Sequence, residues 1–539
     1  MRTYQKKTAK LIREAQSRYL QYKNEQKVKA LEDREAYEKS LLDEITKTRK
    51  LLNKFDKLAV LAGIATLVLE PLNEKSLLYF FVYFVDNEAQ ILLEIALELS
   101  LGTENMKLNS TLSEQNFGEI LGQLQVVLAM KSALNETYRN PDASDFLNNL
   151  IRKVRHENLM LTNKAYEVHL VECYMGIFAN SKKRLSESLE ITAIELYWVL
   201  PMVEYKVKHA KSQGLFDKSR FKVNPTGEVQ KVVFNDFAFS ISSSSTATVD
   251  RGYIKDEKKD KFLVESNGEY YCFTTIPFMH NLISNVIEYF KKHEGGSQSH
   301  KIRDKFLENK VHDVFSKIMP QAKWNKNLRF KNRDGELDVL GISEKYIFLI
   351  EAKAGELAAP GVRGALNALV SKMKETIGKG SFQAISAEKH VKNGGSFEGL
   401  YCDSLIGKKT IKIVVTFETF LELIIDPKGL ITNGILPEGS ERIWYISLFD
   451  LMVVADYIKG SDQFLHYLNC RLSISPNLKF DDELQILRFF LDGGFNNHSY
   501  FNGLQINLVS QHHTFDNDYQ LKADEFMNLN MEKLVYGFQ

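Results

Sequence analysis

The spacing of apolar positions changes character along the chain, and each change predicts a different kind of structure. Up to about residue 57 the chain is charged, rich in helix-favouring residues, and free of glycine and proline. Leu41, Ile45, Thr48, Leu52, Phe55 and Ala59 recur there at alternating steps of four and three, a heptad-like seam with one polar interruption. The pattern predicts a coiled-coil-like helix packed against its own chain. Helical periodicity continues to about 213, interrupted at Pro71, Asn140-Pro141 and Asn180-Ser181. After Gly214 the β-branched and aromatic content of 232–239 and 269–273 predicts strands, with serine-rich 240–245 and charged 255–261 as connections. Helical spacing returns over 277–292, and Glu294-Gly295-Gly296-Ser297 has the composition of a linker.

A third regime begins after that linker. Residues 301–319 place Phe306, Leu307, Val311, Val314, Phe315 and Ile318 on one side of a helix that Pro320 stops. Residues 335–341 read as a strand with Asp338 at its centre. Residues 346–350 are five apolar positions in a row, the mark of a strand buried on both faces at the middle of a mixed or parallel sheet. Further strands are expected at 412–417 and 442–448, a helix at 481–491, and a strand-like stretch at 503–509. The expected organisation is a mostly α-helical region, 1–213, opened by the coiled-coil-like helix. A small α+β segment follows at 214–294, then an α/β domain with a mixed central sheet at 295–460. A C-terminal extension of unassigned role, 461–539, ends the chain.

Composition narrows the class only a little. A chain of 539 residues suggests two to four domains, and 44% hydrophobic with 26% charged residues is typical of a soluble globular protein. The net charge of +1 is uninformative, because a basic surface on one domain is offset elsewhere. Cys173, Cys272, Cys402 and Cys470 form no CxxC pair, so a reducing cytoplasm is the expected compartment. The most apolar windows, 58–69 and 77–85, are each too short to span a bilayer, and no membrane is expected as a partner.

The chemistry concentrates where the buried strand ends. Glu351 and Lys353 close that strand, and alternation puts both on one face roughly 7 Å apart. Asp338 on the neighbouring strand can reach the same place. Charge at the tip of a core strand is costly unless it is paired or binds a metal. Asp338 and Glu351, with the carbonyl of Ala352, are hard oxygen donors suited to Mg²⁺ or Mn²⁺. Lys353 is placed to orient water or steady charge developing on a phosphate. Glu308, brought up by the preceding helix, completes the acidic set.

The segment 335–355, GELDVLGISEKYIFLIEAKAG, resembles the core of the PD-(D/E)xK nuclease superfamily, over about 295–460. The resemblance implies a restriction-endonuclease-like fold. It also implies a catalytic set of Glu308, Asp338, Glu351 and Lys353, with Glu308, Asp338 and Glu351 holding Mg²⁺ or Mn²⁺. It implies hydrolysis of phosphodiester bonds, DNA first, with anti-phage defence or DNA repair as settings. Leu337 stands where the family's name-giving proline would be, and Gln383 is a candidate for the glutamine that many members carry on the following helix. The bare ExK pattern recurs elsewhere, as in Glu257-Lys258-Lys259, so the specificity lies in the order of helix, Gly-Glu-Leu-Asp strand and apolar strand. The competing expectation is an inactive nuclease-fold protein that binds nucleic acid or serves as an assembly scaffold.

Between 301 and 333 ten basic residues face three acidic ones. Lys323, Lys326, Arg329, Lys331, Arg333 and, further on, Arg363 are the expected contacts to a nucleic-acid backbone, with Lys372 and Lys374 extending the surface. Trp324 and Phe330 within this run are either base-stacking platforms or core. His512-His513 with Asp516 and Asp518 match no metal spacing and read as a polar loop. His312, one turn after Glu308, is a candidate neighbour of the site. No Gly-rich phosphate loop and no Gly-x-Ser-x-Gly elbow is present. A second copy or a partner protein is expected to engage the helical N-terminal region.

Overall fold

In this computed structural model the described residues are 2–69, 92, 95–96, 99, 112–139, 143–160, 166–179, 214–223, 238–240, 249–250, 253–254, 263–273, 283, 286–287, 299–331, 334–355, 365–400, 405, 407–417, 427–474, 478–480, 482–496, 506–507, 515, 518–519 and 521–522. They fall into two compact units, 1–163 with 182–286 and 164–181 with 287–539. The part of the expected helical region at 180–213, the linker at 294–297, the His512-His513 loop, and Arg333 and Arg363 lie outside the described residues.

The first unit opens with α1 (Arg2–Glu32) and α2 (Arg34–Leu52). The charged segment is therefore two helices and not one. The break is at Asp33, whose extended backbone and side chain, accepting from the Ala36 N–H at 3.0 Å, cap α2. Leu41, Ile45, Thr48 and Leu52 are buried, and the hydroxyl of Thr48 is satisfied by the Glu44 carbonyl at 2.7 Å. Helix α2 ends at Leu52, so Phe55 continues the seam outside it, and Ala59 belongs to α3 (Lys57–Leu69). Both α1 and α2 pack on α4 (Glu114–Glu136), which α5 (Asp145–Met160) follows. The seam is thus covered within the same chain.

Among the described residues this unit also holds six short strands: β1 (Lys222–Val223), β2 (Ala238–Ser240), β3 (Val249–Asp250), β4 (Tyr253–Ile254), β5 (Leu263–Ser266) and β6 (Glu269–Tyr271). Four of them form a sheet ordered β1-β6-β5-β2, and β3 pairs with β4. Asn267 (φ 54°) and Gly268 (φ 77°) turn β5 into β6, the left-handed pair that a two-residue hairpin requires.

In the second unit, α6 (Glu167–Ala179) and α7 (Ser299–Ile318) precede a five-stranded mixed sheet. Its strands are β7 (Lys323–Arg329), β8 (Glu336–Ile342), β9 (Tyr346–Lys353), β10 (Lys409–Thr416) and β11 (Ile443–Ser447), ordered β11-β10-β9-β8-β7. Strand β9 lies at the centre, antiparallel to β8 and parallel to β10. The expected strand is thus found residue for residue, with Ile347, Phe348, Leu349 and Ile350 fully buried. The two faces of β9 are covered differently. Phe348 meets the Trp324 ring at 5.7 Å, and Trp324 meets Phe315 of α7 at 5.5 Å. Ile347 and Leu349 face a cluster that includes Ala387. Ala387 belongs to α9 (Lys379–Lys392), which continues α8 (Leu366–Met373) through a π-turn at Lys374–Gly378.

Beyond α10 (Pro427–Thr432) and β11 come α11 (Leu448–Tyr457), α12 (Ser461–Leu472) and α13 (Glu483–Leu491), with β12 (Leu478–Lys479) paired to β13 (Ile506–Asn507). The segments drawn from sequence as 295–460 and 461–539 both fall in this unit. The Glu483 carboxylate of α13 accepts from Trp444 of β11 at 2.9 Å and from Tyr467 and Arg471 of α12 at 2.5 and 2.8 Å. Among the described residues no helix is long and apolar enough to cross a membrane.

One link between helix and sheet gives a pH signature. Glu388 of α9 accepts from Thr410 and Lys412 of β10 at 2.6 and 2.5 Å and pairs with Lys392 at 2.8 Å. Burial pushes its carboxyl up, but the hydrogen bonds from Lys392, Lys412 and Thr410 outweigh this and hold it at about 2. A depressed folded-state value stabilises above the ordinary carboxylate range and is lost as pH falls from about 4.5 towards 2. Glu388→Gln should therefore cost about 2 kcal/mol at pH 7 and almost nothing near pH 2, read by urea unfolding across that range. Equal costs at both pH values would refute the assignment.

Candidate active site

The site forms where two neighbouring strands part. Pairing between β8 and β9 runs from Ile342 opposite Ile347 to Val339 opposite Ile350, and stops there. Asp338 and Glu351 are the next positions in that register. On its other side β9 stays paired with β10 as far as Lys353 opposite Thr416, so its end is held firmly on one edge and open on the other. The opening leaves the Ala352 N–H without a backbone acceptor on β8, and the Asp338 carboxylate takes that place at 2.7 Å.

Lys353 lies between the two acids. Its Nζ donates to Asp338 Oδ2 at 3.0 Å and to Glu351 Oε2 at 2.6 Å. Glu351 is fully buried and Asp338 6% exposed. The second Glu351 oxygen, Oε1, is buried with no hydrogen-bond partner. Burial pushes the Glu351 carboxyl well up, and the charge of Asp338 adds to this while Lys353 opposes it. Burial pulls Lys353 down, but Glu351 and Asp338 outweigh it and keep the ammonium charged. Helix α7 supplies Glu308, partly buried and pushed up to about 7 by burial first, then by the charges of Asp338, Asp304 and Glu336. The expected quartet is therefore brought into one electrostatic neighbourhood.

The donor set suits a hard divalent cation. Three carboxylates share one low-dielectric region, two of them resist ionising there, and one buried oxygen lacks a partner. The set is not closed, however: among the described residues no three Asp, Glu, His or Cys side chains converge as a ready-made metal cage. Lys353 holds the space between Asp338 and Glu351.

Along the outer strand β7, Lys323, Lys326 and Arg329 are exposed, as is Lys331 just beyond it. Lys326 is bonded to Asn309, the residue after Glu308. Trp324 and Phe330 are packing residues and not stacking platforms. The indole N–H of Trp324 donates to the Met319 carbonyl at 3.1 Å, and its ring fills the space left by Gly341. Phe330 is buried against His390 and Phe397. His312 pairs with its neighbour Asp313 at 3.0 Å. Asp518 accepts from Tyr457 at 2.6 Å. Lys372 lies 3.5 Å from Glu375, and Lys374 starts the π-turn. Gln383 sits on α9, the helix over β9, with its Oε1 buried and unpartnered.

Sequence reasoning missed three contributors. Asp304 and Glu336 add to the field at Glu308, and only the fold brings them near. Gly380 of α9 lies against the lysine stem, where a Cβ would stand 3.3 Å from Lys353 Cγ. It stands two residues after the π-turn, a feature that clusters at functional sites but that only the fold reveals. No family model, curated protein or solved structure matches the chain.

Proposed function

We propose that this chain is a metal-dependent nuclease of the PD-(D/E)xK type, hydrolysing phosphodiester bonds, in DNA first, through Glu308, Asp338, Glu351 and Lys353. On this reading the five-stranded domain is restriction-endonuclease-like, and defence against foreign DNA or DNA repair is its setting. The carrying observation is the buried Asp338–Lys353–Glu351 cluster at the parted ends of β8 and β9, with one Glu351 oxygen unpartnered. Burying two carboxylates and an ammonium is a weak way to stabilise a fold, since a packed apolar replacement does as well or better. A chemical role accounts for what stability does not.

Asp338 and Glu351, helped by the Ala352 carbonyl and by Glu308, would hold Mg²⁺ or Mn²⁺. When bound, the ion lowers the pKa of water and polarises the scissile phosphate. The protein's own parts have distinct tasks. The Ala352 N–H fixes the Asp338 carboxylate, Lys353 supplies a cation beside the negative charge that develops on the phosphate, and the β7 lysines and Arg329 attract the backbone. Glu308 keeps its proton up to about pH 7, so its part in holding a cation strengthens as pH rises through that value.

The test is cleavage of plasmid, linear duplex and single-stranded DNA, with RNA as comparison, in Mg²⁺, Mn²⁺ or EDTA. Wild type should cut in either metal and not in EDTA, with the rate rising through pH 7. Asp338→Ala and Lys353→Ala should each fall by at least about 10²-fold. Cleavage surviving both changes would sink the site. A second reading, a nucleic-acid-binding scaffold, is favoured by the way Lys353 already pairs with both acids. That reading predicts binding without cleavage in either metal.

A further inference from the structure

Only two non-glycine residues among those described have positive φ, Asn267 and Asn327, both at 54°. Asn267 is explained by its hairpin turn. Asn327 is not in a turn: it lies in the middle of the outer strand β7, and its register partner is Asp338. Pairs on either side keep one register, Lys326 with Val339 and Leu328 with Leu337, while the pair between them is missing.

The left-handed residue also reverses which way the strand faces. Trp324 packs towards α7 through Phe315, whereas Leu328 and Phe330 pack on the opposite side, in the cluster with Ala387 and Phe397. In an unbroken strand residues four apart share a face. Strand β8 shows the same reversal across Asp338: Leu337 and Leu340, three apart, both enter that cluster. The face switch of β7 and that of β8 therefore meet at the Asn327–Asp338 position. At that position Asp338 is out of the ladder, and its carboxylate accepts from the Ala352 N–H and Lys353.

We infer that Asn327 is a positioning residue for Asp338, acting through its left-handed backbone and not through its amide. The inference rests on the proposed role of Asp338. Asparagine adopts this conformation at modest cost, glycine at none, and a β-branched residue resists it. Strained backbone of this kind gathers where a site needs a side chain re-aimed.

The experiment compares Asn327→Gly, Asn327→Asp and Asn327→Val in the full chain, well below each melting temperature. It reads Mn²⁺ affinity by calorimetry with the metal alone, and DNA cleavage as separate kcat and KM. Glycine and aspartate should stay within about threefold of wild type. Valine should weaken Mn²⁺ binding at least tenfold and lower kcat by about 100-fold, the scale of a 1 Å misplacement, with KM for DNA little changed. Should the valine chain fail to fold, Asn327→Ala is expected between glycine and valine in both measurements. A lowered melting temperature with an unchanged Mn²⁺ titration would overturn the inference. So would glycine failing alongside valine, because the side chain would then be what acts. If wild type cuts no nucleic acid, the nuclease reading fails alone and the Mn²⁺ series still decides Asn327.

Discussion

Lys353→Met should lower the stability of the metal-free protein by about 3 kcal/mol, and Mn²⁺ should restore much of it. Methionine keeps the stem beside Gly380 but removes the ammonium that bridges Asp338 and Glu351. Two buried carboxyls are then left with the Ala352 N–H as the backbone donor to Asp338, and stranding one partner of a buried pair costs about 3–5 kcal/mol. The lower end applies because the lysine is 15% exposed and Glu351, already pushed up, can take a proton. The loss should shrink as the pH is lowered and the acids are neutralised. A divalent cation can take the place the ammonium vacates, and it stabilises by mass action. The Mn²⁺-induced rise in melting temperature should therefore be larger in Lys353→Met than in wild type, even though cleavage is lost. Equal melting temperatures for the two proteins without metal would show that the lysine does not hold the cluster together.

The second large effect is purely structural. Glu483→Ala should cost about 3–5 kcal/mol, because one carboxylate satisfies Trp444, Tyr467 and Arg471 together. Arg471 would be left mostly buried with its Glu483 ion pair gone, and the link from β11 to α12 and α13 would be cut. Glu483→Gln keeps an acceptor and loses the charge, so it should cost roughly half as much. Urea unfolding followed by tryptophan fluorescence reads both. Replacing the pair together, Arg471→Met with Glu483→Leu, should recover part of the loss, as apolar replacements of buried pairs do. An alanine variant within 1 kcal/mol of wild type would mean that the C-terminal helices hold to the sheet by apolar packing alone.

The same contrast between local pattern and long-range partner divides what could be read from the chain. An unbroken apolar run declares its burial without help from elsewhere, so β9 was legible to the residue, with Glu351 and Lys353 at its end. Helix α7 was legible for the same reason, since its apolar stripe and Pro320 are local signals. Asp33 was a missed local signal: an N-cap residue within a helix-favouring run that divides it in two. Trp324 and Phe330 were undecidable from sequence, because an aromatic among lysines suits a surface or a core equally until Gly341, Phe397 and His390 stand against it.

Sequence alone determined that charge must gather at the end of a greasy strand, since that follows from composition and period over a few residues. Tertiary structure alone decided how the charge is arranged. The end of β9 opens towards β8 and not β10, Lys353 rests between its two acids, and Asp304 and Glu336 press on Glu308. Asn327 is left-handed at the point where β7 changes the face it packs. Periodicity is a property of one segment, whereas register, ladder opening and the field at a carboxyl depend on segments that only folding brings together.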